Sequence, residues 1–208
     1  MVPEPLLIIA CGALAREIRA VIALNGWEHV TLTCLNAQLH NTPERIPAAV
    51  REAIRAMRPV YGRIFVAYAD CGTGGRLDAV LAEEGAERID GPHCYSFFSG
   101  VDAFARTAED EITAFYLTDF LARQFEAMVI KPLGLDRHPE LADMYFGNYE
   151  KLVYLAQTED PALTEKARAA ADRLGLTFER RLTGYGDLAP ALFDAAAPAL
   201  ERTPEPVS

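Results

Sequence analysis

Short apolar runs, each closed by a glycine-rich turn, recur through the first half of the chain. Leu6-Leu7-Ile8-Ile9-Ala10 runs into Cys11-Gly12, Ile64-Phe65-Val66-Ala67-Tyr68-Ala69 into Asp70-Cys71-Gly72-Thr73-Gly74-Gly75, and Ala86–Ile89 into Asp90-Gly91-Pro92-His93-Cys94. A β-rich run also covers Val30–Leu35. Uninterrupted apolar runs of this length, bounded by turn residues, fit strands buried on both faces. Between them the spacing turns helical. Ala13–Asn25 places Leu14, Ile18, Val21 and Leu24 on one face before Gly26, and Leu77–Glu84 ends at Gly85. A helix to about Met57 opens at Thr42-Pro43, with Thr42 as cap, or one turn later at Pro47; Pro59 closes it. Strand alternating with helix predicts a parallel sheet with right-handed crossovers.

The second half begins with helical spacing. Phe115, Leu117, Phe120, Leu121 and Phe125 predict a helix over Asp110–Met128, and Pro139 starts another through Tyr145. Leu152–Ala156 and Thr177–Leu182 then read as strands around a helix over Thr164–Leu174, with a last helix at Leu188–Phe193. The fold class expected is α/β: a three-layer, Rossmann-like, mostly parallel sheet with helices on both faces and a helical insertion in the middle. A single domain is expected over 1–200, with the insertion at about 101–150 and a disordered tail at 201–208. The second βαβ unit is expected to extend the first sheet.

Composition narrows the function classes. The 208 residues are 50% hydrophobic and 24% charged, an ordinary globular balance that can bury a core. A formal net charge of -10 argues against nucleic acid, whose phosphates need clustered Lys and Arg. No apolar run approaches the roughly 20 residues of a membrane span, and Leu6–Ala10 reads as a strand rather than a signal segment. Four cysteines without a secretion signal are expected as reduced thiols in a cytoplasmic protein.

Three of these cysteines, Cys11, Cys71 and Cys94, end strand-like runs. In one parallel sheet they would meet at its carboxyl edge, where open α/β folds bind ligands. Three thiolates and a histidine make a zinc-type ligand set. His40 follows the second strand and His93 precedes Cys94, so either is a candidate fourth ligand. Cys34 lies inside a strand and reads as core. The loop Asp70–Gly75 also imitates the glycine loop of methyltransferases that use S-adenosylmethionine, making Gly72 and Gly74 candidate cofactor contacts. However, the loop follows the third strand rather than the first. Cys11 and Cys71 both precede helices, where a thiol is acidified, so a nucleophilic-cysteine enzyme is a further alternative. Tyr145, Asn148 and Tyr149, in Tyr145-Phe146-Gly147-Asn148-Tyr149, suit a pocket for a planar or amphipathic small molecule as well as they suit a helix interface.

Several of these segments together resemble an uncharacterised prokaryotic domain-of-unknown-function family (1638). They are Ala10-Cys11-Gly12 with Glu17, Leu39-His40-Asn41 with Pro43, Tyr68 with Asp70-Cys71-Gly72, His93-Cys94-Tyr95, Phe115–Leu121, Gly134-Leu135-Asp136 with His138-Pro139, and Tyr145–Tyr149. The resemblance runs from about Leu6 to Leu192. Members of that family are often encoded beside corrinoid-dependent methyltransferase components, which implies a role in methyl-group and one-carbon metabolism. The partner implied is a corrinoid protein or methyltransferase subunit carrying a corrinoid or folate-type one-carbon carrier. The combined expectation is a zinc- or iron-binding protein using Cys11, Cys71 and Cys94 with His40 or His93, either a methyl-transfer enzyme or an accessory to one. Glu17 and Asp70 are candidates to orient the ligands or take part in catalysis.

Overall fold

The computed structural model describes residues 3–107 and 110–197, so the expected tail at 201–208 lies outside the described residues. The chain forms two compact units. One runs to Cys94 and resumes at Asp187; the other is Tyr95–Gly186.

In the first unit β1 (Leu6–Cys11), β2 (Val30–Leu35), β3 (Arg63–Ala67) and β4 (Glu87–Arg88) form a sheet in the order β2-β1-β3-β4, with every pairing parallel. β1 is buried along its whole length because it is hydrogen-bonded on both sides, Leu6–Cys11 to β2 and Leu6–Ala10 to β3. That is why it reads as an unbroken apolar run. Helices α1 (Ala15–Leu24), α2 (Ile46–Met57) and α3 (Arg76–Glu84) are the crossovers. Right-handed connections put α1 on one face and α2 and α3 on the other. α3 packs beside α2, and the final helix of the chain, α9 (Leu188–Ala196), packs beside α1. Three layers result. From β1 the chain steps outward to β2 and then returns past β1 to β3. The crevice above the carboxyl ends of β1 and β3 is therefore a topological switch point, where sheets of this order bind ligands.

The second unit holds the short helices α4 (Ser96–Ser99) and α5 (Val101–Thr107), then β5 (Ala114–Thr118), α6 (Asp119–Phe125), α7 (Ala142–Phe146), β6 (Lys151–Ala156), α8 (Pro161–Leu174) and β7 (Thr177–Leu182). Its sheet is parallel, in the order β5-β6-β7. On one face Leu117, Leu152, Tyr154 and Ala156 pack with Ala122 and Phe125 of α6 and Ala167 and Ala170 of α8. On the other, Ala114, Val153 and Leu155 lie under Tyr95 and Tyr116.

Two expectations are corrected here. Residues 114–118 form a strand rather than helix, so the middle of the chain is not a helical insertion, and the second βαβ unit builds its own sheet rather than extending the first. The last turn of the long predicted helix is present as a π-helical turn over Glu126–Ile130. Among the described residues no helix is long and apolar enough to cross a membrane.

Candidate functional site

Local chemistry at the ends of β1, β3 and β4 gathers three sulfurs. Cys11 is the last residue of β1. At Gly12 a Cβ would stand 2.9 Å from the Leu35 carbonyl oxygen, so glycine lets the chain turn tightly against the end of β2. Beyond β3, the Asp70 carboxylate accepts from Thr73 Oγ1 at 2.6 Å and from the backbone N–H groups of Gly75 at 2.9 Å and Gly74 at 3.1 Å. These bonds hold the Asp70 pKa down to about 2, with the Thr73 bond contributing most. The loop then leads into α3 through Gly74 and Gly75, both at positive φ. Cys71, at φ 48°, is the one non-glycine residue with positive φ among the described residues. A side chain held there costs on the order of 1–3 kcal/mol and persists only where its surroundings enforce it. Enforcement is visible, because the Asp70 and Cys71 N–H groups donate to the Gly91 and Pro92 carbonyls at 3.0 and 2.9 Å. Those two bonds stitch the loop after β3 to the loop after β4, which carries Cys94.

The stitched loops place Cys71 Sγ 3.2 Å from Cys94 Sγ. Cys11 lies close enough to Cys94, and His40 close enough to Cys71, for each partner to shift the other's titration. His40 rides on the 3-10 turn Ala37–Asn41 that follows β2, a turn whose start is capped by Asn36 accepting from the Gln38 N–H. Cys11 and Cys71 are buried, whereas His40 is exposed, so the cluster meets solvent on the His40 side.

The three thiols do not share one character. Cys94, half-buried between two sulfurs, has its pKa pushed well up by Cys11 and Cys71 first and by desolvation next, so it stays a thiol. The Cys71 pKa is pulled down to about 5, first by the Cys94 hydrogen bond and then by His40. Cys11 is lowered for the same first reason. His40 is raised by its hydrogen bond to Cys71. The arrangement sets an acidified thiol against an imidazole made more basic, beside a thiol that holds its proton. Tyr68 stands over it. Its side chain is 1% exposed and its hydroxyl lacks a hydrogen-bond partner, the approach to Cys11 falling short of one. Burial first, and then the neighbouring Cys11, push its pKa up, so it remains a phenol.

Of the residues expected at a metal site, Cys11, Cys71, Cys94 and His40 come together. His93 is half-buried near Cys71, His40 and Asp70, and burial lowers its pKa. Glu17 is buried in the first turn of α1. Asp70 acts on the backbone of the glycine loop, and it already occupies the Gly74 N–H that the cofactor reading assigns to a ligand. Gly72, at φ +84°, faces Pro43 instead. In the second unit Tyr145 and Asn148 are exposed, and Tyr149 packs its ring against Phe115 and Phe146. Cys34 lies in β2 as expected but is exposed rather than core, because β2 is an edge strand.

Sequence reasoning missed two features. Tyr68 was visible as an aromatic residue closing an apolar strand and as part of the family resemblance, but neither signal placed its hydroxyl beside the thiols. Asp119, fully buried, accepts from Tyr154 Oη at 2.6 Å, Thr158 Oγ1 at 2.7 Å and the Gln157 N–H at 3.1 Å. Nothing in the sequence points to these three partners, which lie 35 to 39 residues away.

Among the described residues, no three or more His, Cys, Asp or Glu stand as a ready metal cage. The sulfurs of Cys71 and Cys94 are closer than the roughly 3.8 Å between two thiolates on one tetrahedral zinc. The donor types nevertheless suit zinc or iron, and parting the loops by about half an ångström would bring the two sulfurs to that spacing.

A family model described as "Protein of unknown function (DUF1638)" matches residues 34–192. The chain belongs to this family. The DUF1638 match takes in His40, Cys71 and Cys94 and begins after Cys11 and Glu17. It also spans all of the second unit. No curated protein and no solved structure gives a significant match.

Proposed function

We propose that this DUF1638 protein binds a zinc- or iron-type metal ion through Cys11, Cys71, Cys94 and His40 and serves corrinoid-linked methyl-group metabolism, as a methyl-transfer enzyme or an accessory to one. The observation that carries the metal reading is the convergence of three sulfurs and an imidazole at the β1/β3 switch point. The link to methyl groups rests on the resemblance of the chain to proteins encoded beside corrinoid-dependent methyltransferases.

A thiolate-bound zinc ion supplies Lewis acidity that deprotonates and holds a substrate thiol near neutral pH. The chain's own residues prepare for that. Cys71 and Cys11 are predisposed to lose their protons, as metal ligation requires. Asp70 fixes the loop that carries Cys71, and the Tyr68 hydroxyl offers one donor to a bound thiolate or substrate.

Elemental analysis of protein purified anaerobically, beside Cys11→Ser, Cys71→Ser and Cys94→Ser, tests the reading. Near-stoichiometric metal that falls at least tenfold in each variant is expected. Metal-free protein with all three variants folded overturns it.

A second reading follows from one contact. Cys71 beside His40, the thiol made more acidic and the imidazole more basic by the contact, is the pairing that nucleophilic-cysteine enzymes use. That reading demands that Cys71 alone react rapidly with iodoacetamide and that His40→Ala slow the reaction, with metal content unaffected.

A further inference from the structure

Cys71 and Cys94 are placed for chemistry that no metal site requires. Their sulfurs lie 3.2 Å apart, and a disulfide needs about 2.05 Å, a closure of roughly 1.2 Å. The two loops are already joined by the bonds from Asp70 and Cys71 to Gly91 and Pro92, so closure draws together segments that the fold holds side by side. Cys71 touches the exposed His40, whereas Cys94 lies between Cys71 and Cys11. Only a small oxidant fits a thiol this enclosed, since Cys71 is 7% exposed.

We infer that Cys71 is a peroxide-oxidised thiol and that Cys94 resolves it, closing a reversible Cys71–Cys94 disulfide. In the first step the Cys71 sulfur attacks one oxygen of hydrogen peroxide. The O–O bond breaks, hydroxide leaves, and Cys71 becomes a sulfenic acid. In the second step the Cys94 sulfur attacks the Cys71 sulfur and the S–OH bond breaks. The departing hydroxide takes the Cys94 proton and leaves as water. Two thiols are oxidised by two electrons, and one peroxide is reduced to two molecules of water once the released hydroxide is protonated. The inference uses two sulfurs of the proposed metal site without depending on a metal. In a metal-loaded protein the same closure would remove two of the four ligands.

The test uses full-length Cys34→Ser protein, which removes the exposed thiol and leaves three, stripped of metal with a chelator and treated with stoichiometric hydrogen peroxide. Titratable thiols under denaturing conditions should fall from three to one. The intact mass should drop by two hydrogens, peptide mapping should join Cys71 to Cys94, and dithiothreitol should reverse all of it. With Cys94→Ser added, Cys71 should instead stop as a sulfenic acid that dimedone traps. Three retained thiols, a Cys11–Cys94 link in place of the expected one, or undiminished oxidation with Cys71→Ser added would each overturn the inference. Zinc titration of the reduced protein separates the two claims. A cross-link in protein that never binds zinc or iron sinks the metal reading and leaves this one standing, whereas metal binding without a cross-link does the reverse.

Discussion

The two sheets place polar chemistry at the same position and treat it in opposite ways. At the end of β5 the Asp119 carboxylate is fully buried, and its oxygens are taken up by Tyr154, Gln157 and Thr158, with Arg123 at 3.4 Å. At the ends of β1 and β3 the buried groups are sulfurs, weak hydrogen-bonding partners, beneath a phenol whose hydroxyl has none. A polar centre whose valences are met by its own fold is building material. A centre of soft donors, held in a costly backbone conformation and left short of partners, is kept for something that arrives later.

The sharpest way to break this contrast is Asp119→Ala. It strands the buried Tyr154 hydroxyl and the Gln157 N–H and takes the carboxylate away from Arg123, and should cost about 3–5 kcal/mol in urea unfolding. A loss under about 1 kcal/mol would mean that the second centre is not structural.

Asp70→Ala comes next. Losing the carboxylate that braces the loop before α3 should cost about 1 kcal/mol and lower metal uptake and disulfide closure together. Because the folded pKa of Asp70, about 2, lies below its unfolded value near 4, its contribution is complete above that unfolded value. It is lost as pH falls through the folded pKa. The stability gap between wild type and Asp70→Ala should therefore narrow between about pH 4 and pH 2, read by thermal unfolding across that range.

Tyr68→Phe sharpens the comparison from the other side. Removing a buried hydroxyl without a partner should leave stability unchanged or raise it by up to about 1 kcal/mol, while weakening metal retention in competition with a chelator. A clear destabilisation would show that the hydroxyl is already satisfied. The smallest effect belongs to Cys34→Ser, which should stay within about 0.5 kcal/mol of wild type because the side chain is exposed on an edge strand.

The first sheet was legible in the sequence because three of its four strands, β1, β3 and β4, run into turns built on glycine or proline, and such punctuation carries its own backbone meaning. From strand ends alone it follows that Cys11, Cys71 and Cys94 share an edge. β5 was not legible because nothing separates it from α6. Thr118 is at once the last residue of the strand and the N-cap of the helix, accepting from the Leu121 N–H. Phe115, Leu117, Phe120, Leu121 and Phe125 therefore run together as one apparent helical stripe across a strand–helix junction. Partners were harder still. The His40–Cys71 contact depends on a 3-10 turn, and the Asp119 network depends on β5 pairing with β6. Both are tertiary facts that no local spacing encodes.

One consequence of the glycine loop concerns competition. Asp70 lies only three to five residues from the groups it binds, so the loop carries its own anion on a short tether. Tethering of that kind corresponds to an effective concentration in the millimolar range or above. A free carboxylate or phosphate must outbid that local supply before Gly74 or Gly75 will release a single N–H. The glycines advertise a cradle, and the chain delivers it with the occupant already aboard.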